Sequence, residues 1–341
     1  QIKKVTKERI RAQVVAGGVL HSRQGVIILG LGLGLPCLTE KDKADLAFAL
    51  DQGVDYIALS FVSSGQAIRE LRHLIREQGK DTPIVAKIEK GAAVGAFPGI
   101  LEAADGIMVA RGDLGVETSI QEVPIIQKEI IRQCNQVGKP VITATQMLES
   151  MIRGPRPTRA EASDVANAIF DGTDAVMLSG ETAIGAYPVE CVEVMAAIAE
   201  TAERNFPYQE WTERARVEPS PTITDAVSQA TCEIAYELGA KAIITTTASG
   251  YTARMVAKHR PQMPILAVTP SEDTLRRLAL IWGVSPLQVE VFLGTDELIS
   301  TSVEAAQKMG VVERGDIVVI TAGVPLGGPG HTNMIKVHRI E

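Results

Sequence analysis

Lys87 and Glu89 stand two residues apart in an otherwise apolar run, residues 84–89. Alternate positions on a strand face the same way, so both polar groups project to the same side. A buried charge left alone costs several kcal/mol, so this pair is either a salt bridge at a strand end or part of a ligand site. Asp113 follows the next apolar run and sits between Gly112 and Gly115. Glycines there let the backbone approach a ligand and expose its N–H groups. Two carboxylates and a lysine at the ends of neighbouring strands suit a hard divalent cation, Mg²⁺ above all, with room left for substrate oxygens. The plain reading of Asp113 is a turn cap. Thr145-Gln146 end the following apolar run, and Ser179-Gly180-Glu181-Thr182 the one after. Each is weak evidence alone, but together they repeat at one end of consecutive units.

Those residues need a scaffold that brings strand ends together. Apolar runs at residues 56–62, 84–89, 106–111, 141–145 and 175–179 alternate with amphipathic stretches, as parallel strands covered on both faces do. Thr39-x-x-Asp42 and Thr158-x-x-Glu161 read as capping boxes, Pro124 opens a helix, and Gly53 and Gly138 stop two others. Five βα units with polar strand ends favour an α/β architecture, part of a (β/α)8 TIM barrel whose catalytic face is the C-terminal rim. The count leaves two alternatives: upstream strands complete the barrel, or the sheet is open. Prolines and scattered charge over residues 206–222 read as a linker. Residues 223–341 then read as a second, three-layer α/β domain, with strands at 241–247, 265–269, 316–321 and 333–340. Its turn Thr245-Thr246-Thr247-Ala248-Ser249-Gly250-Tyr251-Thr252 joins a strand to a helix, a natural phosphate nest or a hydroxyl-rich helix cap.

Composition narrows the classes. The 341 residues are 45% hydrophobic but only 4% aromatic, so the cores are aliphatic. With 34 basic and 41 acidic residues the net charge is -7, against a general nucleic-acid binder. Cys37, Cys134, Cys191 and Cys232 lie far apart, which indicates neither a zinc site nor a disulfide scaffold. No apolar run reaches the roughly 18–20 residues of a membrane span. The expectation is a reduced, soluble, cytoplasmic protein. The chain opens on Gln1 and enters directly into a strand-like stretch, so sequence upstream is expected.

The strings Ala86-Lys87-Ile88-Glu89, Gly106 through Glu117, Gly138 through Met151, Pro157 through Ala168 and Asp171 through Thr182 resemble pyruvate kinase. The resemblance is collinear from about residue 9 to the end. It implies phosphoryl transfer between phosphoenolpyruvate and ADP, giving pyruvate and ATP. It implies that Lys87 stabilises the transferring phosphoryl group. Glu89 and Asp113 would hold Mg²⁺ or Mn²⁺, while Gly112, Asp113 and the Thr145 hydroxyl contact substrate. Lys87 and Thr145 are the catalytic candidates. Ser60 matches a position near a K⁺ site. The residues near a proton relay to the enolate are Thr145, Ser179 and Glu181, with the donor left open. The loop residues Thr245, Thr246, Thr247, Ser249, Gly250 and Thr252 resemble the family's site for a phosphorylated allosteric effector, with Gly327-Gly328-Pro329-Gly330-His331 able to fold over it. The complete protein is expected to be a homotetramer.

The departures shape the expectation. Residues 1–35 resemble only the last stretch of the family's cap domain, and residues 36–205 the C-terminal part of its barrel. Val26-Ile27-Ile28-Leu29-Gly30 replaces an Asn-Leu-Pro-Gly turn, and Ser63 replaces an arginine. Five strands cannot close a barrel, so this chain alone is expected to be inactive or nearly so, with an exposed apolar inner face. Two other readings stand beside this one: a non-catalytic metabolite-binding remnant, and another Mg²⁺-dependent phosphoenolpyruvate or pyruvate barrel enzyme.

Overall fold

A computed structural model of the chain describes residues 1–19, 22, 38–211, 222–291, 294–325 and 331–341. Cys37, the Val26–Gly30 departure and the Gly327–Gly330 loop lie outside those residues, as does most of the 206–222 segment. The chain divides into two compact units, Gln1–Pro36 and Cys37–Glu341. In the first, β1 (Ile2–Val5) pairs antiparallel with β2 (Ile10–Ala12) as an exposed hairpin.

The second unit begins with helix α1 (Glu40–Asp51), then β3 (Ile57–Leu59), α2 (Gly65–Glu77), β4 (Ile84–Ile88), α3 (Gly91–Gly95), α4 (Phe97–Ala103), β5 (Gly106–Ala110), α5 (Arg111–Glu117) and α6 (Val123–Val137). β6 (Val141–Ala144), α7 (Arg159–Phe170), β7 (Ala175–Met177), α8 (Gly180–Ala183) and α9 (Pro188–Arg204) follow. Both capping boxes form, Thr39 with Asp42 and Thr158 with Glu161. Gly138 ends α6 at φ +66, a left-handed conformation that glycine adopts without strain.

Strands β3 to β7 make one parallel sheet in chain order. Among the described residues β3 and β7 each pair on one side only, so the sheet is open. The pleat sorts the side chains. Ile84, Ala86, Ile88, Ile107, Val109 and Val141 pack outward against the helices. Val85, Met108 and Ala144, with Tyr56, Ile142 and Met177 at their margin, form a smaller cluster on the other face. Lys87 shares that inner face with Val85. Every strand is shorter at its C-terminal end than its apolar run suggests, because the chain turns sharply there: Phe61 has φ 56 and Thr145 φ 69.

The C-terminal part is three-layered. Its sheet runs β10-β9-β8-β11-β12, from β8 (Ala242–Thr246), β9 (Ile265–Thr269), β10 (Val284–Gln288), β11 (Ile317–Ala322) and β12 (Met334–Arg339), with only β12 antiparallel. Helix α13 (Thr295–Lys308) covers one face, burying Leu298, Val303 and Ala306. Helices α10 (Ile223–Glu237), α11 (Tyr251–Ala257) and α12 (Glu272–Leu278) cover the other. Strand β10 is absent from the sequence expectation because Pro286 interrupts its pattern; at a sheet edge the missing N–H costs nothing.

A buried arginine is central to the junction between this part and the barrel part. Arg260 is 1% exposed, donates to Ala257 O (2.7 Å), Asn135 Oδ1 (2.8 Å) and Gly172 O (2.7 Å), and pairs with Asp174 at 3.2 Å. Its guanidinium lies 5.0 Å from the Trp282 ring centroid. Phe206, the first residue of the segment read as a linker, packs on Tyr208, Trp211 and Trp282.

Candidate active site

The inner-face polar residues meet at the C-terminal rim of the open sheet. Lys87 Nζ donates to Ser60 Oγ at 2.8 Å, and lies 2.7 Å from Glu89 Oε1. Its side chain is 25% exposed, so the cation is neither lost in solvent nor sealed in the core. Glu89 is 1% exposed, and its other oxygen accepts the Phe61 N–H at 2.6 Å. The turn after β3 thus supplies Ser60 and Phe61 to hold the pair presented at the end of β4. The pair is a salt bridge, and it is also at the mouth; the two sequence readings describe one arrangement.

Asp113 stands in the first turn of α5, directly after β5, where the sequence suggested a loop. The register Ile88↔Val109 puts its strand beside that of Glu89. Its carboxylate makes no hydrogen bond or ion pair among the described residues, although it is half-buried. Gly112 N–H donates to Thr145 Oγ1 (2.8 Å), and that hydroxyl donates to Ala144 O (2.6 Å). The Gly112 N–H is therefore already satisfied by Thr145 Oγ1, and a ligand oxygen there would have to displace it.

Among the described residues no three His, Cys, Asp or Glu side chains converge on a common point. Glu89 and Asp113 are two oxygen donors from adjacent strands, one with no other partner. That set fits a hard divalent ion that completes its shell with water and substrate oxygens, the habit of Mg²⁺.

Ser179 and Glu181 have a different part. Glu181 is 2% exposed and accepts Leu148 N–H (3.1 Å) and Ser179 N–H (2.8 Å), so its carboxylate braces two rim loops. Ser179 Oγ is buried without a partner among the described residues.

Two features of the rim go beyond the sequence reading. Arg111 spreads its guanidinium over Asp164 Oδ1 (2.8 Å), Thr145 O (2.8 Å) and Ala144 O (3.2 Å), tying the β6 turn to α7. A charged residue closing an apolar strand was its signal. Phe61, Thr145 and Gln146 are also three of the four non-glycine residues with positive φ in the described chain. Each costs on the order of 1–3 kcal/mol, and such strain collects where a site over-determines its backbone. No sequence pattern announces it.

The family model for the pyruvate kinase barrel domain matches residues 1–192, and that for the pyruvate kinase alpha/beta domain matches residues 225–338. The chain belongs to the pyruvate kinase family. It is 53% identical over 329 residues to the pyruvate kinase of Geobacillus stearothermophilus, covering 96% of this chain and 56% of that protein. It is 51% identical over 325 residues to the pyruvate kinase of Clostridium acetobutylicum, covering 95% of this chain and 69% of that protein. It is 51% identical over 333 residues to pyruvate kinase 2 of a Synechocystis strain, covering 97% and 56%. The chain thus spans a little over half the length of most such relatives. The pyruvate kinase barrel and α/β domains are the architecture described above, with the barrel part an open five-stranded sheet.

The hydroxyl loop expected in the α/β domain divides. Gly250 begins α11 at φ +79, and Ser249 is exposed. Thr245 Oγ1 is buried without a partner among the described residues, and Thr252 Oγ1 accepts a bond from Thr332 Oγ1 at 3.0 Å. Thr246 and Thr247 are buried. No helix among the described residues is long and apolar enough to cross a membrane.

Proposed function

We propose that this rim is the phosphoryl-transfer centre of a pyruvate kinase, moving the phosphoryl group of phosphoenolpyruvate to ADP. The bond between phosphorus and the enol oxygen breaks, a bond to the terminal ADP oxygen forms, and the enolate takes up a proton to become pyruvate. Such a transition state spreads negative charge over the phosphoryl oxygens, and fixed cations facing it lower the barrier. Lys87, already anchored by Ser60 and Glu89, supplies one such cation. Glu89 and Asp113 would hold Mg²⁺ or Mn²⁺, which would supply further stabilisation of negative charge when bound. Gly112 N–H and the Thr145 hydroxyl bind substrate oxygen once their mutual bond opens. Arg111 keeps Thr145 in place. The single observation that carries the reading is the Lys87 ammonium tethered 2.7 Å from Glu89 at the rim, beside a carboxylate with no partner.

The same reading gives the chain K⁺ near Ser60, a phosphorylated effector at the hydroxyls from Thr245 to Thr252, a homotetramer for the complete protein and a cytoplasmic setting. The open sheet favours a chain that, alone, is inactive or nearly so but still able to bind metabolite. Calorimetric titration with phosphoenolpyruvate in Mg²⁺ tests the site. Binding is expected to need the metal and to vanish in Lys87→Met and in Asp113→Asn. Metal-independent binding unaffected by both substitutions would remove the proposal.

A further inference from the structure

At the opposite end of the open sheet, where the chain enters β3 to β6, a cavity of about 140 Å³ separates the barrel strands from the α/β domain. Tyr56, Asp105 and Lys139 line it from the barrel side, and Arg254, Arg277 and Gly250 from the other. Three cations therefore face one carboxylate. That carboxylate is already engaged: Asp105 Oδ2 accepts Arg72 Nη2 at 2.8 Å and Ile84 N–H at 2.7 Å.

The cations are differently placed. Lys139 Nζ donates to Leu101 O (2.6 Å) and Glu102 O (2.9 Å), carbonyls near the end of α4, and keeps one proton. The Arg254 guanidinium has no hydrogen bond or ion pair to any described residue; its backbone N–H donates to Gly250 O at 3.1 Å. Arg277 Nε is buried with no acceptor. The Tyr56 hydroxyl donates to the backbone Arg277 O at 3.1 Å, and among the described residues the Arg277 guanidinium has no acceptor of its own. Burial pushes the Arg254 and Lys139 cations down from their ordinary pKa values and the Tyr56 phenol up. Arginine forks match tetrahedral oxyanions, and a desolvated cation without a partner is the costly half of an ion pair.

We infer that this cavity is a binding site for a phosphate dianion, orthophosphate or the phosphate end of a monoester, held by Arg254 and Arg277 with Lys139 behind them. Three positive groups against one carboxylate, itself shared with Arg72, leave an excess of positive charge that favours a dianion over a monocarboxylate. The volume is well below the roughly 300 Å³ at which pockets for drug-sized ligands begin, so it takes a phosphate group and not a whole nucleotide. The site borders the Ser249-Gly250 turn but is built from guanidinium and ammonium groups, not from the hydroxyls of the loop proposed above. A bound anion would touch both the barrel strands and the α/β domain and brace one against the other. The inference does not depend on the chemistry at the rim.

The test is titration of the whole 341-residue chain with sodium phosphate, with sodium acetate at matched ionic strength, and with glycerol 3-phosphate against glycerol. Calorimetry and the thermal midpoint are the readouts. Saturable binding of phosphate but not acetate is expected, with a rise in midpoint. Tighter binding of glycerol 3-phosphate would make the ligand a monoester, and tighter binding of orthophosphate would make it the free ion. Arg254→Gln and Arg277→Gln should each weaken binding tenfold or more. Arg254→Lys should weaken it less, and Thr247→Val and the exposed neighbour Arg276→Gln should leave it unchanged. Broadening of the free phosphate ³¹P resonance by the unsubstituted chain, reversed by excess sulfate, gives the same answer if a variant fails to fold. Absence of saturable phosphate binding overturns the inference, as does binding that survives both glutamine variants or is lost in Thr247→Val.

Discussion

At the C-terminal ends of β4 and β5, Lys87 and Glu89 form a pair with a quarter of the lysine side chain still open, and Asp113 beside them has no partner among the described residues. At the N-terminal ends of β6 and β7, Arg260 and Asp174 are 1% and 5% exposed and wrapped in bonds from both halves of the molecule. Asp174 also accepts Val141 N–H (3.0 Å) and Trp282 N–H (3.2 Å). Both ends bury opposite charges on a parallel sheet. Among the described residues the Arg260–Asp174 end leaves only Arg260 Nε without a partner, and the other end keeps a whole carboxylate in reserve. Saturated networks act as fasteners, while unsaturated ones at a solvent-reachable strand end are where a ligand completes the coordination.

The sharpest way to break that comparison is Arg260→Met. It strips a partner from Asp174, Asn135 and Gly172 at once, and should cost about 3–5 kcal/mol in urea unfolding followed by tryptophan fluorescence. A loss under about 1 kcal/mol would make the junction no fastener.

Acid should attack the same region next. Burial, chiefly, pushes the adjacent His259 down to about 4, aided by Lys258 and Arg260 and opposed by Asp225 and Glu233. The fold holds this imidazole neutral, so its contribution is complete above about pH 6.5 and declines as pH falls towards 4. About 3 kcal/mol should be lost across that window, and the pH dependence of the urea midpoint should flatten in His259→Gln.

At the rim the expected stability effects are smaller. Thr158→Ala removes the cap of α7, the helix that carries Asp164 to Arg111, and should cost about 1 kcal/mol by the same unfolding measurement. Lys87→Met with Glu89→Gln removes both charges together and should leave stability within about 1 kcal/mol or raise it, while abolishing phosphoenolpyruvate binding. A large loss of stability there would make the rim a fastener too.

Much of this contrast was legible in the sequence, but unevenly. The strands of the barrel part and their order follow from apolar runs, and the two capping boxes from their spacing. Lys87, Glu89 and Asp113 stood out because charge on a greasy strand needs a reason. The junction did not stand out. Arg260 sits in an ordinary Lys258-His259-Arg260-Pro261 turn, and its partners Asn135, Gly172 and Asp174 come from distant segments that only the tertiary fold brings together. The same holds for Arg254 and Arg277, whose shared cavity has no local signature. Helix α5 was hidden because Gly112 and Gly115 argue for a loop, and the Leu114 it buries outweighs their weak helix propensity.

The account depends most on a divalent ion completing the Glu89–Asp113 pair. Titration of the chain with Mn²⁺, followed by the electron paramagnetic resonance of the free ion, reads that directly. One bound ion is expected, held more tightly when phosphoenolpyruvate is present and lost in Glu89→Gln with Asp113→Asn. Unchanged Mn²⁺ binding in that double variant would contradict it.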